Sequence, residues 1–436
     1  MTTEIAIMNK SAIALAADSA VTFSKRDGQQ KIYNTVNKLF ALSKYQPVGI
    51  MIFDSAELIG LPWETIIKVY RAKLGSKKFS SLEDYAKDFL AFLTDNSQLF
   101  PKDVQLDYFG ELVGNYFRAI VNATLHEGER YVQAHGAIGD DKVSELLEGQ
   151  IRSHCEPLGS LKDADCLPQD FSLCIGKEYR ERIERIIQEL FGKAQLSDQS
   201  KESLRTAATQ IFSKDFFPDI GCSGIVIAGF GDAEPFPSLH SYVVQGVLEG
   251  KLKFKPFRSA SISFSMGASI TPFAQDEMVH TFMQGVDPGY EHYAVTSVNE
   301  IIKKYYVDPI ENAAQMKDQE KQDLLKNIRG IQAALIKEFR DKLTQHKRTN
   351  YIDPVLDAVA ALPKDELAAM AESLVSLTIL KRRVSMTAET VGGAIDVALI
   401  SKGDGLIWIK RKHYFDKNLN AQFLANYYRG DQPENL

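Results

Sequence analysis

Residues 2–18 read TTEIAIMNKSAIALAAD, and the folding of this stretch decides the architecture. Two apolar runs, 5–8 and 12–17, flank Asn9, Lys10 and Ser11, a polar cluster suited to a tight hairpin turn. A hairpin turning on Lys10 sets Thr2 opposite Asp18, because antiparallel partners sum to about twice the central residue number. Asp18 ends a run that is otherwise wholly apolar, so its ionised form needs a partner. By itself it also reads as the turn residue opening the next loop.

A second pair of apolar runs, 38–42 and 48–53, lies around the turn-rich segment 43–47. Val36, Lys38 and Phe40 share one face by the two-residue period of a strand. A lysine on an inward face is costly unless paired, and Asp18 is the natural partner. An exposed strand lysine is the alternative if Lys38 is taken alone.

From Leu61 the period changes. Leu61, Ile66, Ile67, Tyr70 and Leu74 recur at helical spacing behind Pro62, and 81–94 and 104–127 continue in that manner. Leu106, Phe109, Leu112, Tyr116 and Ile120 form one apolar stripe. Residues 128–175, richer in Gly, Asp and Pro, read as loops or short helices, before helical patterns return at 177–193 and 198–214. Strands follow at 224–229, 241–248, 251–256 and 261–266, a helical block at about 272–384, and a closing hairpin at 394–401 and 406–410. The charged stretch 317–347 reads as a solvated helix face. Strands, helices, strands, helices, strands is not the order of a doubly wound sheet; two antiparallel sheets covered by helices on both faces fit it.

Composition narrows the function. The 436 residues carry 51 basic and 57 acidic side chains, a net charge of −6, with no long basic stripe, so nucleic acid is not an expected partner. No apolar run approaches the roughly 18 residues that span a bilayer, and the first 20 residues carry no export signal, so no membrane partner is expected. Cys155, Cys166, Cys174 and Cys222 lack C-x-x-C spacing, which suits reduced thiols and a cytoplasmic location. Neither a phosphate-binding loop nor an H-E-x-x-H helix occurs. His154-Cys155 reads as a surface loop, since neighbouring residues rarely aim at each other as attack requires. Residues 251–258 alternate charged and apolar groups, as an edge strand with protective lysines does.

Thr2, Asp18 and Lys38 together make a mechanism. A threonine hydroxyl is a weak nucleophile and needs an adjacent base, which the free α-amino group of the same residue supplies once Met1 is removed. A Lys38 ammonium held by Asp18 lowers neighbouring pKa values and stabilises developing negative charge. Neither metal nor cofactor is required.

The same residues carry a resemblance. Thr2-Thr3-Glu4-Ile5-Ala6-Ile7 with Ala16-Ala17-Asp18-Ser19, then Thr35-Val36-Asn37-Lys38-Leu39, resembles the start of proteasome β-subunits and their bacterial relatives, which are N-terminal-nucleophile (Ntn) hydrolases. Gly224-Ile225-Val226-Ile227-Ala228-Gly229 resembles the family's central hairpin, and Val391-Gly392-Gly393-Ala394-Ile395-Asp396-Val397 its last strand. The resemblance implies an α+β fold, a four-layer αββα sandwich of two antiparallel sheets, with its core at about 2–74, 219–300 and 365–412 and helical insertions at about 75–218 and 300–365. It implies Thr2 as nucleophile and base, Asp18 as orienting carboxylate, Lys38 as electrostatic activator, a peptide or other amide as substrate, and a homo-oligomer.

Departures from the family pattern accompany these matches. Where the family has a glycine-rich segment donating the oxyanion-hole amide, this chain reads Ile52-Phe53-Asp54-Ser55-Ala56, and a carboxylate at Asp54 repels an oxyanion unless turned away or neutralised. The family's supporting serine falls at Ala268, with Ser269 one residue on. The aspartate and serine beside the glycine pair are replaced by Glu389 and Thr390. A proteasome-like scaffold without activity, whose helical insertions bind partners, is therefore the alternative. Ring and dimer are both open, as is any ATPase partner.

Overall fold

The computed structural model describes residues 2–24, 30–218, 221–313, 318–385, 391–413, 415–416, 418–422 and 425. The opening hairpin forms as strands β1 (Thr3–Asn9) and β2 (Ala12–Ala17). Asn9 Oδ1 accepts from the amides of Ser11 at 2.9 Å and Ala12 at 3.2 Å, a side-chain turn that leaves Lys10 and Ser11 as a two-residue connection. The hairpin therefore centres between Lys10 and Ser11, one half-step from the expected centre. Glu4 pairs with Ala17, and Thr3, not Thr2, stands across from Asp18, whose amide donates to the Thr3 carbonyl at 3.2 Å.

A short hairpin of β3 (Val21–Ser24) and β4 (Gln30–Tyr33) follows, then β5 (Leu39–Ala41) and β6 (Val48–Asp54), and a small pair, β7 (Glu57–Leu58) and β8 (Leu61–Pro62). Helices α1 (Trp63–Leu74) and α2 (Leu82–Asp95) come next, the second opened by a reciprocal Ser81–Asp84 capping box. A helical block, α3 (Lys102–His135), α4 (Asp140–Ser160), α5 (Phe171–Glu178), α6 (Arg180–Phe191) and α7 (Asp198–Ser213), runs on to β9 (Ser223–Gly229), β10 (Ser238–Leu248), β11 (Lys251–Ser261) and β12 (Ala268–Ala274). A second block holds α8 (Glu277–Gln284), α9 (Pro288–Ile302), α10 (Asp308–Glu311), α11 (Asp318–Lys347), α12 (Asp353–Ala361) and α13 (Lys364–Val384). Strands β13 (Asp396–Ser401) and β14 (Gly405–Lys410) form the third strand-bearing region of the chain.

Two five-stranded antiparallel sheets result, ordered β12-β1-β2-β13-β14 and β11-β10-β9-β6-β5. Ala6, Met8, Ile13 and Leu15 of the first sheet pack against Met51, Phe53, Val226 and Leu239 of the second. The outer face of the first sheet, including Ile5, Ile7, Ala12, Ala14 and Ala16, lies under α8, α12 and α13. Trp63, Tyr70, Phe89 and Phe92 of α1 and α2 cover the second. This explains why β2 is apolar without alternation: it is an inner strand with both faces covered, and its helix-side alanines let α13 approach closely.

The strand expected at 261–266 is instead the end of β11 followed by a turn, and the ladder resumes at β12, which pairs with β1. Pro272 inside this run reads against a strand, yet β12 is an edge strand, where a missing donor is tolerated. Residues 128–175, expected as loops or short helices, extend α3 to His135 and form the 21-residue α4. In α3 the buried stripe is Phe109, Val113, Phe117 and Ile120, while Leu106 is exposed.

The first helical block has its own apolar cluster, from Phe109 to Phe212, which meets the sandwich at Leu248. Tyr108 donates to the Gln245 carbonyl at 2.9 Å, and a Cβ at Gly246 would lie 2.5 Å from the Tyr108 ring, so only glycine admits this docking. The β11 edge is as expected, but Lys253 is not a protective surface lysine. It is fully buried and donates to the carbonyls of Ile211 at 3.0 Å and Phe216 at 2.7 Å, near the C-terminus of α7. Burial pushes its ammonium down to about 7. On α11 Ile336 alone is buried, consistent with a solvated helix.

Candidate functional site

Strand β1 places Thr2, Glu4, Ala6 and Met8 at alternate positions, and Ala6 and Met8 face the second sheet. At the end of this row four polar side chains are buried together: Thr2, Glu4, Asp18 and Lys38, with exposures of 1, 1, 0 and 3 %. Removing charges from water costs several kcal/mol per ion, so such a cluster persists only where its members answer each other.

Asp18 is the best-satisfied member. Its Oδ1 accepts from the Thr3 amide at 3.2 Å and from Lys38 Nζ, and its Oδ2 from the amides of Ala20 at 3.3 Å and Gly392 at 2.9 Å. Gly392 belongs to the glycine pair before β13, and Gly393 is held at φ +77° with its missing Cβ position 2.6 Å from the Asn34 carbonyl. Close approach there requires glycine. Ser19 Oγ donates to the Ala394 carbonyl and fixes the same turn.

Lys38 precedes β5 by one residue, and its carbonyl accepts from the Ile52 amide at 2.8 Å. Phe40, expected on its face, joins the cluster under α1, whereas the Lys38 ammonium reaches across to Asp18 and to Glu4 Oε1 at 3.2 Å. The structure thus brings Asp18 and Lys38 into direct contact, with Thr2 at the start of the adjoining strand.

Thr2 is held through its carbonyl, which accepts from the Gln275 amide at 3.0 Å, and through its hydroxyl, which accepts from the Asp54 amide at 3.3 Å. Asp54 ends β6 with φ +63°, a left-handed conformation uncommon outside glycine and tolerated best by Asp and Asn. Desolvation pushes its carboxyl above the usual range, against the pull of Lys38. A small cleft lined by Val21, Asn37, Lys38, Asp54, Ser55 and Trp63 adjoins the cluster.

Glu4 is the member that sequence reasoning passed over. Lys38 Nζ lies 3.2 Å from its Oε1 as an ion pair, and Lys38 and the Thr2 hydroxyl both act on it, but among the described residues no backbone amide donates to either carboxyl oxygen. Burial pushes its carboxyl up to about 8, with Lys38 drawing it down and Asp18 pushing it up. The signal was available: Glu4 shares the two-residue period with Thr2, Ala6 and Met8.

Ser269, the replacement considered for a supporting serine, pairs with Met8 at the far end of β1, and its hydroxyl meets Thr271 Oγ1 at 3.2 Å. Six strand residues, about 20 Å, separate that position from Thr2. Glu389 and Thr390 lie outside the described residues.

The chain matches no protein-family model and no curated protein.

Other features are chemically quieter. His154-Cys155 lies within α4, not in a loop, and burial pushes the Cys155 thiol up to about 11, which suppresses thiolate chemistry. Larger clefts lie among the helices α3 to α7 and beside β11 and do not include the Thr2 cluster. Among the described residues, no three of His, Cys, Asp and Glu gather as metal ligands, the four cysteines form no disulfide, and no helix is long and apolar enough to cross a membrane.

Proposed function

We propose that this chain is a proteasome-like Ntn hydrolase in which Thr2, exposed by removal of Met1, attacks an amide or peptide bond. The observation that carries the reading is the Asp54 amide directed at Thr2 Oγ1, beside the buried Asp18–Lys38 pair. The two antiparallel sheets enclosed by helices suit the four-layer Ntn sandwich.

In this mechanism the freed α-amino group of Thr2 takes the hydroxyl proton as Oγ1 bonds to the carbonyl carbon. The negative charge that forms on the substrate oxygen is met by the Asp54 N–H and the nearby Lys38 ammonium. Cleavage of the C–N bond passes the proton to the leaving amine and leaves an ester on Thr2. Water, deprotonated by the same amine, hydrolyses that ester and restores the hydroxyl. Asp18, fixed by three backbone amides, orients Lys38.

Intact mass and a peptidyl epoxyketone test this together. The hydrolase reading expects a mass lacking Met1 and a covalent adduct on Thr2 that disappears in Thr2→Ala. Retained Met1 overturns it, because the base is then in the wrong place.

A second reading, an inactive scaffold that binds partners through its helices, draws support from Tyr290, Tyr293, Tyr305 and Tyr306, all exposed on α9 and the turn after it. Exposed tyrosines are frequent anchors of protein interfaces.

A further inference from the structure

Two carboxyl groups and one ammonium occupy the buried space beside Thr2. If all three were ionised the cluster would carry a net negative charge out of contact with water, an arrangement that expels charge by retaining a proton. The hydrogen bonds decide which group retains it. Asp18 accepts three backbone amides as well as Lys38, so both of its oxygens are already engaged as acceptors. Glu4 has no amide donor among the described residues, its β12 neighbour is the apolar Phe273, and Lys38 approaches it only at 3.2 Å.

We propose that Glu4 is a positioning residue that keeps a proton at neutral pH, so that the Lys38 charge stays directed at Thr2, and that its ionisation at alkaline pH switches Thr2 off. The inference rests on Thr2 being the nucleophile. An anionic Glu4 partly neutralises Lys38, makes the Thr2 hydroxyl harder to deprotonate and holds the α-amino group in its protonated, non-basic form. The charged groups facing Glu4 are Lys38 before β5 and Asp18 after β2, with the Thr2 hydroxyl beside it on its own strand and Asp54 acting on the same lysine. Burial sets the ionisation of Glu4 at about 8.

The test is the rate of epoxyketone labelling of Thr2 between pH 6 and pH 10 in the wild-type chain and in Glu4→Gln. Wild type is expected to lose about tenfold in rate one unit above the Glu4 midpoint, since only about a tenth of the group is then protonated. Glu4→Gln, neutral at every pH, is expected to hold its rate across that range. A purely structural glutamate would lower the rate evenly and leave the shape of the profile alone. The same alkaline fall in both proteins overturns the inference while the hydrolase reading stands. A wild-type profile flat to pH 10 does the same without any variant. No labelling of wild-type Thr2 at any pH overturns the hydrolase reading and this inference with it.

Discussion

The amide of Asp54 meets the hydroxyl of Thr2 at 3.3 Å across the two sheets, joining the last residue of β6 to the residue before β1. The contact makes Asp54 a two-sided residue. Its N–H faces the reacting hydroxyl, while its carboxyl adds negative charge where negative charge would develop. Asp54→Asn keeps a side chain that tolerates φ +63° and removes the charge. Thr2 labelling is expected to rise several-fold, with stability in urea unchanged within about 0.5 kcal/mol. Slower labelling would show that the carboxylate assists and that the repulsion argument is wrong.

Lys38 answers two buried carboxyl groups, so its removal is costly. In Lys38→Met the apolar stem is kept and the ammonium lost, leaving Asp18 buried without its cation. The expected loss is about 3–5 kcal/mol in equilibrium unfolding, the range for breaking a buried pair from one side. A loss under about 1 kcal/mol would mean that water reaches the cluster and that it is not the low-dielectric site described above.

The raised ionisation of Glu4 has a consequence for stability. Between its ordinary value of 4.5 and about 8, the folded chain holds a proton that the unfolded chain has released. Stability from this group is therefore fully present below pH 4.5 and declines as pH rises through 8, by up to about 1.4 kcal/mol per unit. Glu4→Gln should remove that slope, so the difference in unfolding free energy between variant and wild type should grow in the variant's favour from pH 5 to pH 8. Parallel curves for the two proteins would place the midpoint of Glu4 near that of an exposed carboxyl.

What could be read from the sequence depended on how local each determinant was. The hairpin of β1 and β2 follows from two apolar runs and a polar turn, all within 17 residues of one another. Its register slipped because Asn9 uses its side chain to close the turn, which the period of the strands does not encode. The Asp18–Lys38 contact was legible from cost alone, since each residue needed a counter-ion. Glu4 was passed over because one acidic residue in an apolar strand resembles ordinary outward alternation until the partner sheet is known to cover that face. β12 was missed because the strand was expected at 261–266 and a helical block from about 272, whereas its ladder partner is β1, more than 250 residues away in the chain. Ser269 was misplaced for the same reason, because its position along β1 depends on where the preceding turn ends.

Gly224 offers a test of how the second sheet supports the Thr2 contact. It pairs with Phe53 across β6 and β9, and a Cβ at this position would lie 1.9 Å from the Phe53 ring. The ring has little room to retreat, since Phe273 and Phe257 flank it with centroids at 5.3 and 6.0 Å. Gly224→Ala is therefore expected to cost about 1–3 kcal/mol, as overpacking does in a filled core. Phe53 immediately precedes Asp54, so a shifted ring also moves the amide that meets Thr2, and labelling should fall with stability. Gly149 is the control: it lies exposed in α4 with open space around its Cβ position. Gly149→Ala should raise stability by about 0.5–1 kcal/mol through helix propensity and leave labelling unchanged. If Gly224→Ala melted like wild type and labelled at the wild-type rate, the backbone at the end of β6 would not be what positions the Asp54 amide.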